Sequence, residues 1–385
     1  MKRFGLAWIL LGAVLTSCTT PPQIVASPSP SGPVTVQVTD KTKGELQAVL
    51  KAQNDALEKR DLSGYQGTYD LARAAFRRCK QESFDVAGRQ GAPASASQIV
   101  RVEPYGGVYA RAWVDSGQGP ERGLTRMYFR MVDGRWVQSE PTSDEVGAEK
   151  KTTVDGIDID YWEIDADVVE AMRQGTQAAR DAVVRNQLGE SKQPFGIRFY
   201  PTRSVAGPQA CNVVGFHLPN RPEDKYIRFF LYWFTPDGKA LSPDTITFIQ
   251  HEGLHWAQDQ FITGISARLD WWLVEGWPDY IGQSRSASYK RAVVCTTGTP
   301  TYKQLADGPR DDLPETKPED AVRYYAFANT MVEYLYAQFG PNAYRDLLLA
   351  YKELADPNKN LPAVLKVTPE QFHAGWIAFA RRKYC

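Results

Sequence analysis

Histidine is the scarcest chemically versatile residue in this chain, with four among 385 residues. Cysteine is almost as rare: there are five, no two of them in a CxxC spacing, which argues against a cysteine-rich metal site. Neither charge is in excess. Lys and Arg total 45 and Asp and Glu total 45, so no basic surplus exists to serve a phosphate backbone, and nucleic acid is excluded as the main partner. Beyond the first twenty residues no apolar run approaches the roughly 20 residues that cross a bilayer. The remainder is ordinary globular material, 43% hydrophobic and 12% aromatic, which excludes a disordered, collagenous or coiled-coil chain. At about 100 to 200 residues per domain, the length suggests two domains, each able to bury its own core.

The N-terminus opens with Lys2-Arg3 and an uncharged run from Phe4 to Leu15, a secretory signal too short to span a membrane. Leu15-Thr16-Ser17-Cys18 follows, and it resembles the lipobox of bacterial lipoproteins. The resemblance implies that residues 1–17 are removed and that Cys18 carries the lipid, so the chain is expected to be exported and tethered to the cell envelope through its N-terminus. Residues 18–43, rich in Pro and Ser, cannot form helix and read as a disordered tether. Cys79, Cys211, Cys295 and Cys385 remain. In an exported protein this even number allows two disulfides, in any of three pairings.

In residues 44–145 the pattern gives an amphipathic helix (Glu45 to Lys59), a second helix near Leu71 to Lys80, and strands at Ile99 to Val102, Val108 to Val114, Leu124 to Val132 and Trp136 to Gln138. Asp133-Gly134 is expected to be a hairpin turn. The helix cadence Asn54-Asp55-Ala56-Leu57…Asp61-Leu62, followed by an antiparallel sheet, resembles the cone-shaped nuclear-transport-factor-like (SnoaL-like) fold. A polar stretch from Ser139 to Thr152 reads as a spacer. Residues 150–385 then change from a sheet-rich front to a helical back, so the fold class is α+β.

Ser242-Pro243-Asp244 is a helix start, with Ser at the N-cap and Pro in the first turn. The helix carries His251-Glu252-Gly253-Leu254-His255. Residues four apart share a helical face, so both imidazoles can reach one ion at Zn–N distances of about 2.0 to 2.1 Å, with Glu252 placed beside a metal-bound water. This is the HExxH arrangement of metallopeptidases. Further on, Leu273-Val274-Glu275-Gly276-Trp277-Pro278-Asp279 resembles the second helix of gluzincins, the thermolysin- and aminopeptidase-like zinc peptidases. The resemblance implies one Zn2+ per chain, Glu275 as third ligand and Asp279 as the acceptor that fixes a ligating histidine's tautomer. Pro278 departs from a good helix pattern. In a helix that starts well before Glu275 it would forfeit the bond to the Val274 carbonyl, and in one that starts at Glu275 it would cost nothing.

An oxyanion formed during hydrolysis needs a further donor. Relatives in the clan use a histidine or a tyrosine; here the choice lies among His373, Tyr324 and Tyr325, and the spacing to Leu335 favours Tyr325. The strand Ile227 to Phe234 is either an edge that pairs with an extended peptide or a doubly buried core strand. The expectation is a membrane-tethered zinc metallopeptidase acting on a peptide or protein. The alternative is a catalytically inactive zincin-fold lipoprotein that binds or recruits a partner.

Overall fold

The computed structural model describes residues 38–90, 97–105, 107–117, 123–185, 188, 195–207, 211, 215–217, 226–230, 232–262, 269–282, 286–296, 298–309 and 318–385. The signal segment and Cys18 lie outside them. Thr39 caps α1 (Asp40–Lys59) with a reciprocal capping box to Thr42, so this helix starts within the stretch read as tether. Leu46, Leu50, Gln53 and Ala56 recur at helical spacing and form its buried face. After α2 (Leu62–Gln66) and α3 (Ala74–Gln90) comes an antiparallel meander of β1 (Gln98–Tyr105), β2 (Tyr109–Asp115), β3 (Leu124–Val132) and β4 (Arg135–Ser139). Asp133 and Gly134 join β3 to β4 with φ of 49° and 75°, the two left-handed residues that a type I′ hairpin requires. Leu46 and Leu50 of α1 pack on Ile99, Ala110, Ala112, Val114 and Phe129 of the sheet.

The second sheet has strand order β5-β6-β7-β9-β8, formed by β5 (Glu149–Val154), β6 (Ile157–Trp162), β7 (Gly196–Phe199), β8 (Gly215–His217) and β9 (Tyr226–Phe229). β6, β7 and β9 run parallel, and α4 (Val169–Arg185) lies between β6 and β7 in sequence. Two expectations are corrected here. The polar stretch ending at Thr152 is not all spacer, because its end is β5, paired to β6 across an Asp155-Gly156 turn with φ of 47° and 81°. Glu149, Lys150, Lys151 and Thr153 made it look like a linker because an edge strand exposes such residues. The segment Ile227 to Phe234 is not an edge either. Its strand portion, β9, is flanked by β7 and β8, and Ile227 and Phe229 in it are buried, so for that portion the core alternative holds; Leu231 lies outside the described residues. The edge on that side is β8, which runs antiparallel to β9.

A short helix, α5 (Arg203–Ala206), follows β7. The rest is helical: α6 (Pro243–Ile262), α7 (Trp271–Ile281), α8 (Ala287–Thr296), α9 (Tyr302–Asp307), α10 (Pro318–Phe339), α11 (Ala343–Glu353), α12 (Pro357–Leu365) and α13 (Pro369–Tyr384). No helix among the described residues is long and apolar enough to cross a membrane. The architecture is α+β, with two sheets flanked by helices and a helical C-terminal region.

The two sheets are joined by groups that would be costly to separate. Leu124 and Phe234 exchange both backbone bonds, at 2.7 and 2.8 Å. Buried Arg126 bonds Asp165 at 2.6 Å and the Tyr232 hydroxyl at 2.7 Å, and that hydroxyl donates to Asp165 at 2.9 Å. Gly123, with φ of 74°, is required at this seam, since a Cβ there would lie 2.0 Å from the Phe234 carbonyl oxygen. Disulfides link Cys79 to Cys211 and Cys295 to Cys385, which selects one of the three pairings open from the sequence. The first ties α3 to the segment before β8, and the second ties α8 to the C-terminus.

Candidate metal centre

Helix α6 starts as its sequence dictates, with the Thr245 amide donating to the Ser242 side chain at 3.2 Å and Pro243 in the first turn. Two glycines set how closely the metal helices approach their neighbours. At Gly253, between the two histidines, a Cβ would meet a Val183 methyl of α4 at 2.7 Å. At Gly276, next to Glu275, it would meet the backbone carbonyl oxygen of Ala328 on α10 at 2.5 Å. The histidine helix is thus held close to α4 and the glutamate helix close to α10.

His251, His255 and Glu275 converge as one cluster of three metal-ligating groups. The two Nε2 atoms are 3.1 Å apart, and the Glu275 Oε2 lies 3.3 Å from His251 Nε2 and 3.2 Å from His255 Nε2. A tetrahedral zinc with bonds of about 2.0 to 2.1 Å has ligand-to-ligand edges of roughly 3.3 to 3.4 Å. The observed triangle matches one face of that tetrahedron, so the three residues fit a single zinc ion. The donor set, two imidazoles and a carboxylate, is that of a catalytic rather than a closed structural site. The three side chains keep 12%, 15% and 18% exposure, so the cluster is half-buried and not sealed from solvent.

Without a metal the cluster holds a proton instead. Burial alone would lower the His255 pKa, but the charge and hydrogen bond of Glu275, with the Glu252 charge added, lift it to about 9. Burial would likewise raise Glu275, and the opposing charge of His255 with hydrogen bonds from both imidazoles keeps it far below the usual carboxylate range.

Sequence reasoning missed the residue that orients His255. Gln258, one turn further along α6 and buried, presents its Oε1 to His255 Nδ1 at 3.0 Å. Its amide nitrogen donates at 3.1 Å to the carbonyls of Leu273 and Val274 on α7, and also to the Tyr344 hydroxyl. Because the nitrogen is engaged with carbonyls, the oxygen must be the acceptor. Nδ1 therefore carries the hydrogen and Nε2 is left free for a metal. The same bonds answer the question posed by Pro278. Helix α7 starts at Trp271, well before Glu275, so Pro278 does forfeit the bond to Val274, and Gln258 takes up that carbonyl. The signal available in the sequence was a polar residue three after His255 on the ligand face.

The other residues singled out from the sequence fall as follows. Glu252 lies between the two histidines on α6, near enough to raise the His255 pKa. Asp279 is buried one turn after Glu275 and accepts from the Asn329 side chain of α10 at 3.2 Å. The Tyr325 ring sits 6.3 Å from that of His251 and 5.0 Å from that of Trp271. Tyr324 packs on Trp271 at 6.2 Å. His373 is placed elsewhere, its Nε2 bonded to the Pro300 carbonyl at 2.8 Å and its ring against Trp376.

No protein-family model matches the sequence, and no curated protein matches it. Among solved structures, the chain is similar to an M1 zinc metallopeptidase variant from Deinococcus radiodurans, with 13% identity and a TM-score of 0.36. It is also similar to a two-domain M1 zinc metallopeptidase variant bound to L-tryptophan, with 12% identity and a TM-score of 0.33. Each match covers 67% of this chain, which spans 62% of the first protein and 61% of the second. The class assigned here, a zinc centre of the HExxH…E type, rests on the site's own atoms.

Proposed function

We propose that the chain is a zinc-dependent peptidase of the gluzincin type. The observation that carries this reading is the triangle of His251 Nε2, His255 Nε2 and Glu275 Oε2, with edges of 3.1 to 3.3 Å and three half-buried side chains. Zinc, when bound there, supplies Lewis acidity toward a scissile carbonyl and lowers the pKa of a water. Glu252 takes the proton from the attacking water and returns it to the leaving amine. Gln258 keeps His255 in the ligating tautomer throughout. Tyr325, beside His251, donates to the oxyanion. The edge strand β8, antiparallel to β9, is suited to pair with the main chain of an extended peptide.

The lipobox-like Leu15 to Cys18 and the Pro/Ser-rich stretch after it support placing this enzyme in the cell envelope, lipid-anchored and acting on peptide or protein substrates outside the cytoplasm. The helix-and-meander segment around residues 40–139 supports a nuclear-transport-factor-like module.

The test is a Glu252→Gln protein assayed on a broad peptide library, with metal content measured in parallel. The expected result is retained stoichiometric zinc and loss of nearly all cleavage. Cleavage equal to wild type at full zinc occupancy would refute the assignment.

A further inference from the structure

A cavity of about 340 Å³ lies at the seam between the two sheets, away from the metal ligands in its lining. Its walls combine α3 and the meander with residues of the second half of the chain, notably Arg203 and Trp233. Three cations line it. Arg126 is committed to Asp165 and Tyr232. Among the described residues the other two form no ion pair, and Glu140 is the carboxylate whose charge acts on both. Lys80 donates to the Gln53 side-chain oxygen at 3.5 Å, and its ammonium lies over the Tyr65 and Phe76 rings at 5.8 and 5.5 Å. Arg203 donates to the Cys211 carbonyl, which among the described residues leaves most of its guanidinium N–H groups available. The one carboxylate in the lining, Glu140, accepts from the Ser204 amide at 3.0 Å and the Ser204 hydroxyl at 2.5 Å.

The cavity therefore carries a positive excess, Lys80 and Arg203 against the single carboxylate of Glu140, on half-buried side chains. Burial pulls the Lys80 ammonium down to about 8; the charge of Glu140 opposes this in part and that of Arg203 reinforces it. Charge drawn out of water and only partly balanced is costly, and proteins that retain it commonly use it. Phe76, Met127 and Trp233 supply apolar wall. The volume is at the small end of ligand sites, which run from about 300 to 1,000 Å³.

We propose that this cavity binds a small organic carboxylate bearing an apolar group, with Lys80 and Arg203 holding the carboxylate and Phe76, Met127 and Trp233 enclosing the body. A guanidinium and an ammonium together suit one carboxylate: the first can grip both oxygens and the second adds a point charge. The apolar wall distinguishes this site from one for a bare inorganic anion. The Cys79–Cys211 disulfide ties α3, which carries Lys80, to the backbone that anchors Arg203, and so fixes the separation of the two cations.

The test uses the full chain with disulfides intact, titrated with phenylacetate, hexanoate, the neutral phenylacetamide and inorganic phosphate, and read by calorimetry and thermal shift. At least one of the two carboxylates should bind saturably with a Kd below about 10 mM, and phenylacetamide should bind at least about tenfold more weakly. Lys80→Met and Arg203→Met should each weaken the carboxylate by about tenfold or more, and Lys80→Arg should recover most of it. The ligand-free Lys80→Met protein should melt higher than wild type, by about 2 °C or more, because a poorly hydrated ammonium that Glu140 offsets only in part has gone. Bound zinc serves as the check that each variant is folded. The proposal falls if neither carboxylate binds, if the amide binds as well as the acid, if phosphate alone binds, or if Lys80→Met lowers the ligand-free melting temperature.

Discussion

Replacing Gln258 with leucine isolates what orients the metal site from what merely packs it. The side chains are similar in volume, so the change removes polar contacts and leaves little cavity. Four contacts go: the acceptor for His255 Nδ1 and the donors to the Leu273 carbonyl, the Val274 carbonyl and the Tyr344 hydroxyl. The Leu273 carbonyl still receives the Tyr344 hydroxyl at 2.9 Å, but the Val274 carbonyl cannot fall back on its i+4 helical donor, because Pro278 offers no N–H. A half-buried carbonyl that loses a donor costs on the order of 1 kcal/mol of stability in the metal-free protein. His255 is meanwhile released from its tautomer and orientation, and loss of such a partner weakens metal binding by about 10- to 100-fold, or roughly 1.4 to 2.7 kcal/mol. The assay is competition for zinc against a chromophoric chelator, with thermal unfolding followed at zero and saturating zinc. Gln258→Leu should lower both the metal-free melting temperature and the increment that zinc adds. Tyr344→Phe is the control: it removes a hydroxyl that touches both Gln258 and Leu273 but spares the His255 contact, so it should cost stability with zinc affinity within about threefold of wild type. A Gln258→Leu protein that is destabilised yet binds zinc as tightly as wild type would refute the orienting role.

Other consequences follow from the same geometry. Gly276→Ala sets a Cβ 2.5 Å from the Ala328 carbonyl oxygen, which cannot swing aside as a side chain would; α7 must shift off α10, and about 1 to 3 kcal/mol of stability should be lost together with zinc affinity, as read by thermal unfolding and chelator competition. In the metal-free protein, the raised pKa of His255 gives a contribution that is complete below its unfolded value of 6.5 and fades as pH rises through about 9; the depressed pKa of Glu275 gives one that is complete above 4.5 and fades in acid. Stability owed to this pair should therefore be greatest between those two unfolded values, and zinc binding at pH 7 should release about one proton, seen as a dependence of calorimetric heat on buffer ionisation enthalpy. Equal heats across buffers would contradict it. The Cys295–Cys385 disulfide closes a loop of sequence separation 90, so a Cys295→Ser, Cys385→Ser double variant should lose about 2 to 5 kcal/mol, detected by denaturant unfolding, with α13 the first element to lose exchange protection.

The parts legible in the sequence were those governed by local rules. The spacing of His251 and His255 needs only helical periodicity, the Ser242-Pro243 start needs only capping chemistry, and the Asp133-Gly134 hairpin needs only the conformational freedom of its turn residues. β5 escaped notice because polar edge strands and linkers share a composition, although Asp155-Gly156 was a hairpin signal of the same kind. The segment Ile227 to Phe234 was apolar on both faces, which fits a covered strand; whether it lay at an edge depended on β8, a three-residue strand with no periodicity to read. Cysteine pairing depends on which elements meet in space and could not be read from four positions.

Gln258 and Pro278 show why a ligand motif can be read in sequence while the structure that holds it cannot. Taken alone, Pro278 is a fault in α7, and Gln258 is an unremarked polar residue beyond the motif on α6. Each makes sense only through the other. The proline leaves a carbonyl without its helical donor, facing the histidine helix. The glutamine fills that vacancy and thereby turns its oxygen toward His255. A glutamine amide has one face that donates and one that accepts, so bonding α7 through nitrogen dictates that it holds the imidazole through oxygen. Helix-to-helix docking and histidine tautomer are thus set by one side chain, and the distance between His255 and Glu275 is fixed by the same contact that frees Nε2 for a metal. It follows that Gln258→Glu, which retains an acceptor for His255 but turns a carboxylate oxygen toward two carbonyls, should leave the imidazole oriented while pushing α6 and α7 apart.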